Sequence, residues 1–198
     1  MTISAEEVKK LRDKTGAGIM DCKQALKEMD GDIDKAVEYL RQKGIASAEK
    51  RLGRETKEGL IQSYIHPGSR LGVLVEVNCE TDFVAKTDDF MEFAKNIAMQ
   101  IAASKPLVVT REELSEDVIN KEMKIYKKQA EEQKKPAHIA EKIAQGKMEK
   151  FYQEVVLMEQ SYVRDPNITI EELLKQLIGK IGENISIKRF ARFELGGE

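Results

Sequence analysis

Between residues 71 and 101 the spacing of apolar side chains changes period, and this restricts the fold more than any other feature of the chain. Val73, Val75, Val77 and Cys79 recur at every second position, which puts them on one face of a strand. Phe90, Phe93, Ala94, Ile97, Ala98 and Ile101 recur at three- and four-residue intervals, the stripe of an amphipathic helix. A chain that makes this switch within about ten residues carries a strand and a helix side by side, and with the hairpin and terminal strand described next it reads as α+β. The junction between the two periods carries Thr81-Asp82-Phe83-Val84. Local physics leaves two readings open there. Asp82 can cap the coming helix with Phe83 packed upon it, or the turn can project the aromatic ring and carboxylate into a partner.

The rest of the sheet follows from nearby segments. Residues 60–66 are β-rich, Pro67-Gly68-Ser69-Arg70 supplies a turn, and residues 71–78 run back, so the pair predicts a hairpin. A last strand is expected over residues 184–193, with Ile185 and Ile187 on one face and Phe190 on the other. Hairpin and terminal strand together make a small antiparallel sheet, covered by helices on one side.

The first fifty residues predict three short helices. Ser4-Ala5-Glu6-Glu7 has the capping-box pattern, with Val8 and Leu11 following at helical spacing. The second helix opens at Gly18 and should bury Ile19, Cys22, Ala25, Leu26 and Met29. Asp32 caps the third, which carries Ile33, Ala36, Val37 and Leu40, and Gly44 is expected to end it. One narrow apolar stripe cannot hold a helix in water, but three can enclose a miniature core. Residues 45–57 look like a solvated linker, helical in part. The implied division is an N-terminal three-helix domain with linker over 1–52 and an α+β core domain over 53–198.

Beyond Ser104-Lys105-Pro106, Leu107-Val108-Val109 is a brief extended piece, and Thr110-x-x-Glu113 reads as a second capping box. Charged helices over roughly 116–134 and 137–158, separated by Lys134-Lys135-Pro136, predict an antiparallel helical hairpin, with Gly146 its weak point. Thr169-Ile170-Glu171-Glu172 starts a further helix through Leu173, Leu174, Leu177, Ile178 and Ile181, which Gly182 stops.

Chemistry-bearing residues are scarce. The 33 basic and 35 acidic residues leave a net charge of −2, with no basic excess to attract nucleic acid. The cluster of basic residues over 41–54 raises the alternative of an RNA-binding module, which the balanced charge and few aromatics oppose. A plain helical adaptor that holds a peptide is a third possibility. Two cysteines, Cys22 and Cys79, sit on apolar faces as buried thiols and form neither a disulfide framework nor a zinc set. His66 and His138 lack ligand-spaced partners and read as surface residues. The acidic residues alternate with lysines on helix surfaces, so neither covalent catalysis, a cofactor nor a metal is expected. No segment approaches the roughly 18 apolar residues of a membrane span and no signal peptide is evident, so a soluble cytoplasmic protein is expected. One further feature suits docking: Met20 follows the Gly16-Ala17-Gly18 loop and lies outward if Ile19 packs inward. The same glycines also serve a plain interhelical turn on which Met20 rests.

Three separated segments carry a resemblance. Residues 11–23 (LRDKTGAGIMDCK), 76–85 (EVNCETDFVA) and 180–185 (KIGENI) resemble bacterial elongation factor Ts, in the order that family has them. The match is weakest over about 110–165. The resemblance implies an N-terminal bundle like a ubiquitin-associated module. It also implies guanine-nucleotide exchange on elongation factor Tu, the GTPase that carries aminoacyl-tRNA to the ribosome. In that family the Asp-Phe pair inserts near the GTPase's nucleotide site and helps displace its magnesium. The correspondence falls on Asp82 and Phe83, flanked by Thr81 and Val84. Docking of the N-terminal domain maps onto Arg12, Met20 and Lys23. Long family members continue with a second core half, whereas this chain resembles the short form, so a homodimer through the core sheet and its helices is expected.

Overall fold

The computed structural model describes residues 3–132 and 136–197. In chain order its helices and strands are α1 (Ala5–Thr15), α2 (Ile19–Glu28), α3 (Ile33–Glu49), β1 (Glu58–Ile65), β2 (Leu71–Cys79), α4 (Asp82–Ala85) and α5 (Asp88–Ser104). There follow α6 (Glu116–Glu132), α7 (Ala137–Val155), β3 (Ser161–Tyr162), β4 (Asp165–Thr169), α8 (Ile170–Ile181) and β5 (Ile185–Glu194). The fold is of the expected α+β class. Two compact units divide the chain: Met1–Gly59 with Asn78–Phe90 and Glu172–Ser186, and Leu60–Val77 with Met91–Glu171 and Ile187–Glu198.

In the first unit, α1 to α3 close around Val8, Leu11, Cys22, Ala25, Leu26 and Ala36, all buried. The starts of α1 and α3 have local causes. The Ser4 hydroxyl accepts from the Glu7 N–H at 3.2 Å while the Ser4 N–H donates to the Glu7 carboxylate at 2.8 Å, a complete capping box. Asp32 accepts from the N–H groups of Asp34 and Lys35 at 3.1 and 3.0 Å. Gly16 ends α1 at φ 67°, where its N–H returns to the Arg12 carbonyl at 2.7 Å.

Two expectations for this unit fail. Ile19 does not join the bundle core but is 56% exposed, because the stripe of α2 begins one turn later, at Cys22. Gly44 does not end α3; the helix continues to Glu49, into the expected linker. A glycine inside a helix costs only about 1 kcal/mol, so the helix runs on through it; the close approach of the neighbouring helix depends on Gly179, whose Cβ would stand 2.8 Å from the Gly44 backbone.

In the second unit, β1 and β2 form the expected hairpin, with the His66 N–H donating to Leu71 at 2.9 Å across the turn. β5 adds beside β2, so the antiparallel sheet runs β1-β2-β5. Val73, Val75 and Val77 are buried, as are Phe93, Ala94, Ile97, Ala98 and Ile101 on α5. Arg192 of β5 reaches α5 and donates to the Ala102 carbonyl at 3.4 Å. The other face of the sheet leaves Ile61, Ile65, Leu74 and Phe193 exposed.

Helices α6 and α7 pack as the expected hairpin, burying Ala130, Ala140, Ala144 and Met148. Lys134 and Lys135, expected to separate them, lie outside the described residues. The Thr110 box does not start a helix. A single 3₁₀ turn covers Arg111–Glu113, the Glu113 carboxylate accepts from the Val109 N–H at 3.2 Å, and α6 begins beyond Ser115. The β3–β4 ladder has no counterpart in the hydrophobic pattern. Buried Gln100 holds it, donating to the Ser161 carbonyl and accepting from the Val163 N–H at 3.2 and 2.9 Å.

Candidate functional site

Strand β2 delivers the chain into the first unit at Asn78, and the next eight residues make one tight construction. Thr81 is extended (φ −127°, ψ 153°) and serves as the N-cap of α4, its hydroxyl accepting from the Val84 N–H at 3.5 Å. The capping role expected for Asp82 therefore belongs to its neighbour. Asp82 is the first helical residue, and its carboxylate accepts from the Lys86 ammonium at 2.6 Å, one turn on. That hydrogen bond, with the Asp82 charge second, raises the Lys86 pKa. A carboxylate at a helix N-terminus also meets the positive end of the backbone dipoles.

The single turn of α4 sorts its side chains. Val84 and Ala85 are buried, whereas Phe83 is 78% exposed. Packing of Phe83 on its own helix, the alternative left open by the sequence, is not what the fold adopts. Thr87 closes the turn: its hydroxyl donates to the Val84 carbonyl at 2.8 Å and accepts from the Phe90 N–H at 3.4 Å. Buried Phe90 then anchors the start of α5. Two anchored aliphatic residues and a second cap thus hold one large aromatic ring outward.

The support comes from a distant part of the chain. The Glu183 carboxylate accepts from both the Thr81 hydroxyl, at 2.7 Å, and the Thr81 N–H, at 3.0 Å. In return the Asn184 N–H donates to the Glu80 carboxylate at 2.6 Å, and the Asn184 side chain donates to the Arg54 carbonyl at 2.7 Å. The Cys79 thiol donates to the Thr81 carbonyl at 3.1 Å. Burial, and next the Glu183 charge, push that thiol up to about 11. It is therefore a protonated donor and no nucleophile.

The three sequence motifs meet in this unit. Lys180 pairs with Asp89 at 2.6 Å, and its side chain crosses Gly16 so closely that a Cβ there would stand 2.3 Å from the Lys180 Cε. Met20 is 74% exposed beside exposed Ile19. Arg12 and Lys23 flank a groove of about 440 Å³ whose apolar lining includes Ile3, Val8 and Ile19. Sequence reasoning missed Glu183, Glu80 and Ile19 as parts of these surfaces. The signals available for Glu183 were its membership of the 180–185 segment and its place directly after the helix-stopping Gly182, which adopts φ 89°. Among the described residues no cluster of His, Cys, Asp or Glu could hold a metal ion, and no helix is long and apolar enough to cross a membrane.

Comparison with known proteins covers nearly the whole chain. The family model described as Elongation factor TS matches residues 5–197. An elongation factor Ts of Desulfosudis oleivorans is 58% identical over 195 residues, covering 98% of each chain. That of Fervidobacterium nodosum is 57% identical over 196 residues, 99% of this chain and 100% of the relative. That of Carboxydothermus hydrogenoformans is 57% identical over 194 residues, 98% of this chain and 89% of the relative.

Proposed function

The chain belongs to the elongation factor Ts family, and from that premise we propose that it binds the GDP-bound translational GTPase elongation factor Tu and promotes GDP release. Thr81, Asp82, Phe83 and Val84 are the segment that acts on the nucleotide site, with no covalent chemistry. The observation that carries this reading is Phe83, a large apolar side chain left 78% exposed on a turn whose other members are anchored. A monomeric fold gains nothing from presenting a phenyl ring to water; a partner pocket does.

The work is thermodynamic linkage. A factor that prefers the nucleotide-free GTPase to its GDP-bound form must weaken GDP binding by the same ratio. Magnesium held with the GDP phosphates in the partner would neutralise their charge and add to the grip on the nucleotide. Burying Phe83 in the partner supplies about 1.5–3 kcal/mol, enough to offset displacement of the elements that position the magnesium ligands. Asp82, released from Lys86, repels nearby phosphate charge and orients the wedge. GTP binding then expels the factor through the same coupling run in reverse.

The exposed pair Ile19 and Met20, with Arg12 and Lys23 at the neighbouring groove, supports docking of the N-terminal bundle on the GTPase. That bundle encloses its own core, which supports a domain division at 52/53. The exposed sheet face of Ile61, Ile65, Leu74 and Phe193 supports a homodimer of core domains. The setting proposed is the cytoplasm, with no nucleic acid or membrane bound directly.

The test is release of fluorescent GDP from elongation factor Tu, with this protein at a small fraction of the GTPase concentration. Acceleration with turnover is the expected result. A rate no faster than spontaneous release removes the proposal.

A further inference from the structure

We propose that Glu183 is a positioning residue for nucleotide exchange: by holding the N–H and the hydroxyl of Thr81 together, its carboxylate fixes the direction in which Phe83 projects. The inference rests on the exchange function proposed above and names a residue that acts on it from the far end of the chain.

The argument begins with what α4 cannot do for itself. It has four residues, Asp82–Ala85, and a single turn does not hold together in water because nucleation costs more than one hydrogen bond returns. Its geometry must be imposed from outside. Val84 and Ala85 fix one side by burial, but burial of two small side chains leaves rotation about the turn free. The N-cap removes that freedom, and at Thr81 every polar atom is engaged. The N–H and the hydroxyl donate to Glu183, the hydroxyl also accepts from Val84, and the carbonyl accepts from Cys79 and, at 3.4 Å, from the Ala85 N–H.

The chemistry of the clamp sets the direction of the hydroxyl. An ionised carboxylate only accepts, so the Thr81 proton points to Glu183 and an oxygen lone pair is left to face the Val84 N–H. A neutral amide in place of Glu183 could satisfy one of the two Thr81 donors but not both through the same geometry. Glu183 is itself placed with care. Gly182 at φ 89° turns the chain out of α8, and on the far side Asn184 is tied to Glu80 and Arg54. Residues 80–81 and 183–184 therefore grip each other reciprocally, each pair supplying a carboxylate to the other's backbone N–H. Phe83 stands two residues beyond this grip and is 78% exposed, so the direction of its ring is set by the turn that the grip holds.

A residue acting through Phe83 leaves a signature that a merely stabilising one does not. The experiment measures GDP release at saturating factor for the wild type, Glu183→Ala, Phe83→Ala and the double variant, each corrected for its folded fraction by thermal unfolding. Expected is a fivefold or greater loss for Glu183→Ala in the wild-type background and less than a twofold further loss in the Phe83→Ala background. Glu183→Gln, which keeps volume and one acceptor, should recover part of the rate and gives the same comparison if Glu183→Ala does not fold. Equal losses in both backgrounds overturn the positioning role while leaving the exchange function standing. Wild-type release by Phe83→Ala overturns both.

Discussion

Gly44 and Gly179 are in backbone contact: a Cβ built on Gly179 would lie 2.8 Å from the Cα and the carbonyl oxygen of Gly44. The two helices concerned, α3 and α8, thus meet inside the first unit with no side chain between them. The contact is asymmetric. A Cβ on Gly44 would meet only the Gly179 Cα, at 3.9 Å, an ordinary van der Waals distance. Gly179→Ala should therefore destabilise the protein by about 1–3 kcal/mol, since backbone must move to admit the methyl group. Gly44→Ala should be neutral or stabilising by up to about 1 kcal/mol, because the gain in helix propensity meets no clash. Denaturant unfolding of the two variants decides it, and a reversed order would mean that the helices cross differently.

That pair also marks the boundary of what local pattern conveys. Elements with a sustained period were legible: the β2 face of Val73, Val75, Val77 and Cys79, the α5 stripe, and the starts of α1 and α3 with Ser4 and Asp32 as caps. The role of Gly44 does not show in the pattern, because a glycine that ends a helix and one that a helix simply runs through look alike along the chain. The β3–β4 ladder was invisible because a two-residue strand has no period and its support, Gln100, lies about sixty residues earlier. At the candidate site, Phe83 and Asp82 were identifiable as a signature. Their fixation was not, since the bonds from Glu183 to Thr81 span 102 residues and leave no local trace.

Phe83→Ala should separate stability from function. With the ring 78% exposed, its removal deletes almost no burial, and the midpoint of thermal unfolding should move by no more than the equivalent of about 0.5 kcal/mol. GDP release from the partner GTPase should slow severalfold or more at equal factor. A drop of several kcal/mol in stability with normal exchange would make Phe83 a core residue after all. Asp82→Ala loses an exposed pair with Lys86 and a carboxylate at the start of α4, both of which contribute little in open solvent. A larger effect on exchange than on stability is therefore expected there too.

The Cys79 thiol links stability to alkaline pH. Its pKa lies at about 11 in the folded chain against 9.0 for a free thiol, raised by burial and then by the Glu183 charge. Between those values the unfolded chain has released a proton that the folded chain retains, so stability falls as pH rises. The contribution is intact below about pH 9, is lost as pH climbs toward about 11, and totals about 2–3 kcal/mol. Lysines and tyrosines titrate in the same range, so the measurement is a difference: urea unfolding of the wild type and of Cys79→Ala at several pH values. The wild type should lose more stability than the variant across that window. Parallel curves would show that Cys79 titrates alike in both states.

The exposed sheet face gives the last prediction. Ile61, Ile65, Leu74 and Phe193 stand on the side of the sheet opposite the buried valines of β2, and Phe193 and Leu195 border a groove of about 540 Å³ with Ile65 and Leu74. Such a face loses free energy to water at about 25 cal/mol for each Å² left uncovered, and a second copy can cover it with the same face by twofold symmetry. Light scattering after gel filtration should give twice the chain mass of 22.4 kDa. Phe193→Glu places two charges in that contact in the dimer yet lies at an exposed position in one chain. It should therefore give the single mass without loss of secondary structure. The wild type at 22.4 kDa over micromolar concentrations, or a Phe193→Glu variant still at double mass, would place the association elsewhere or nowhere.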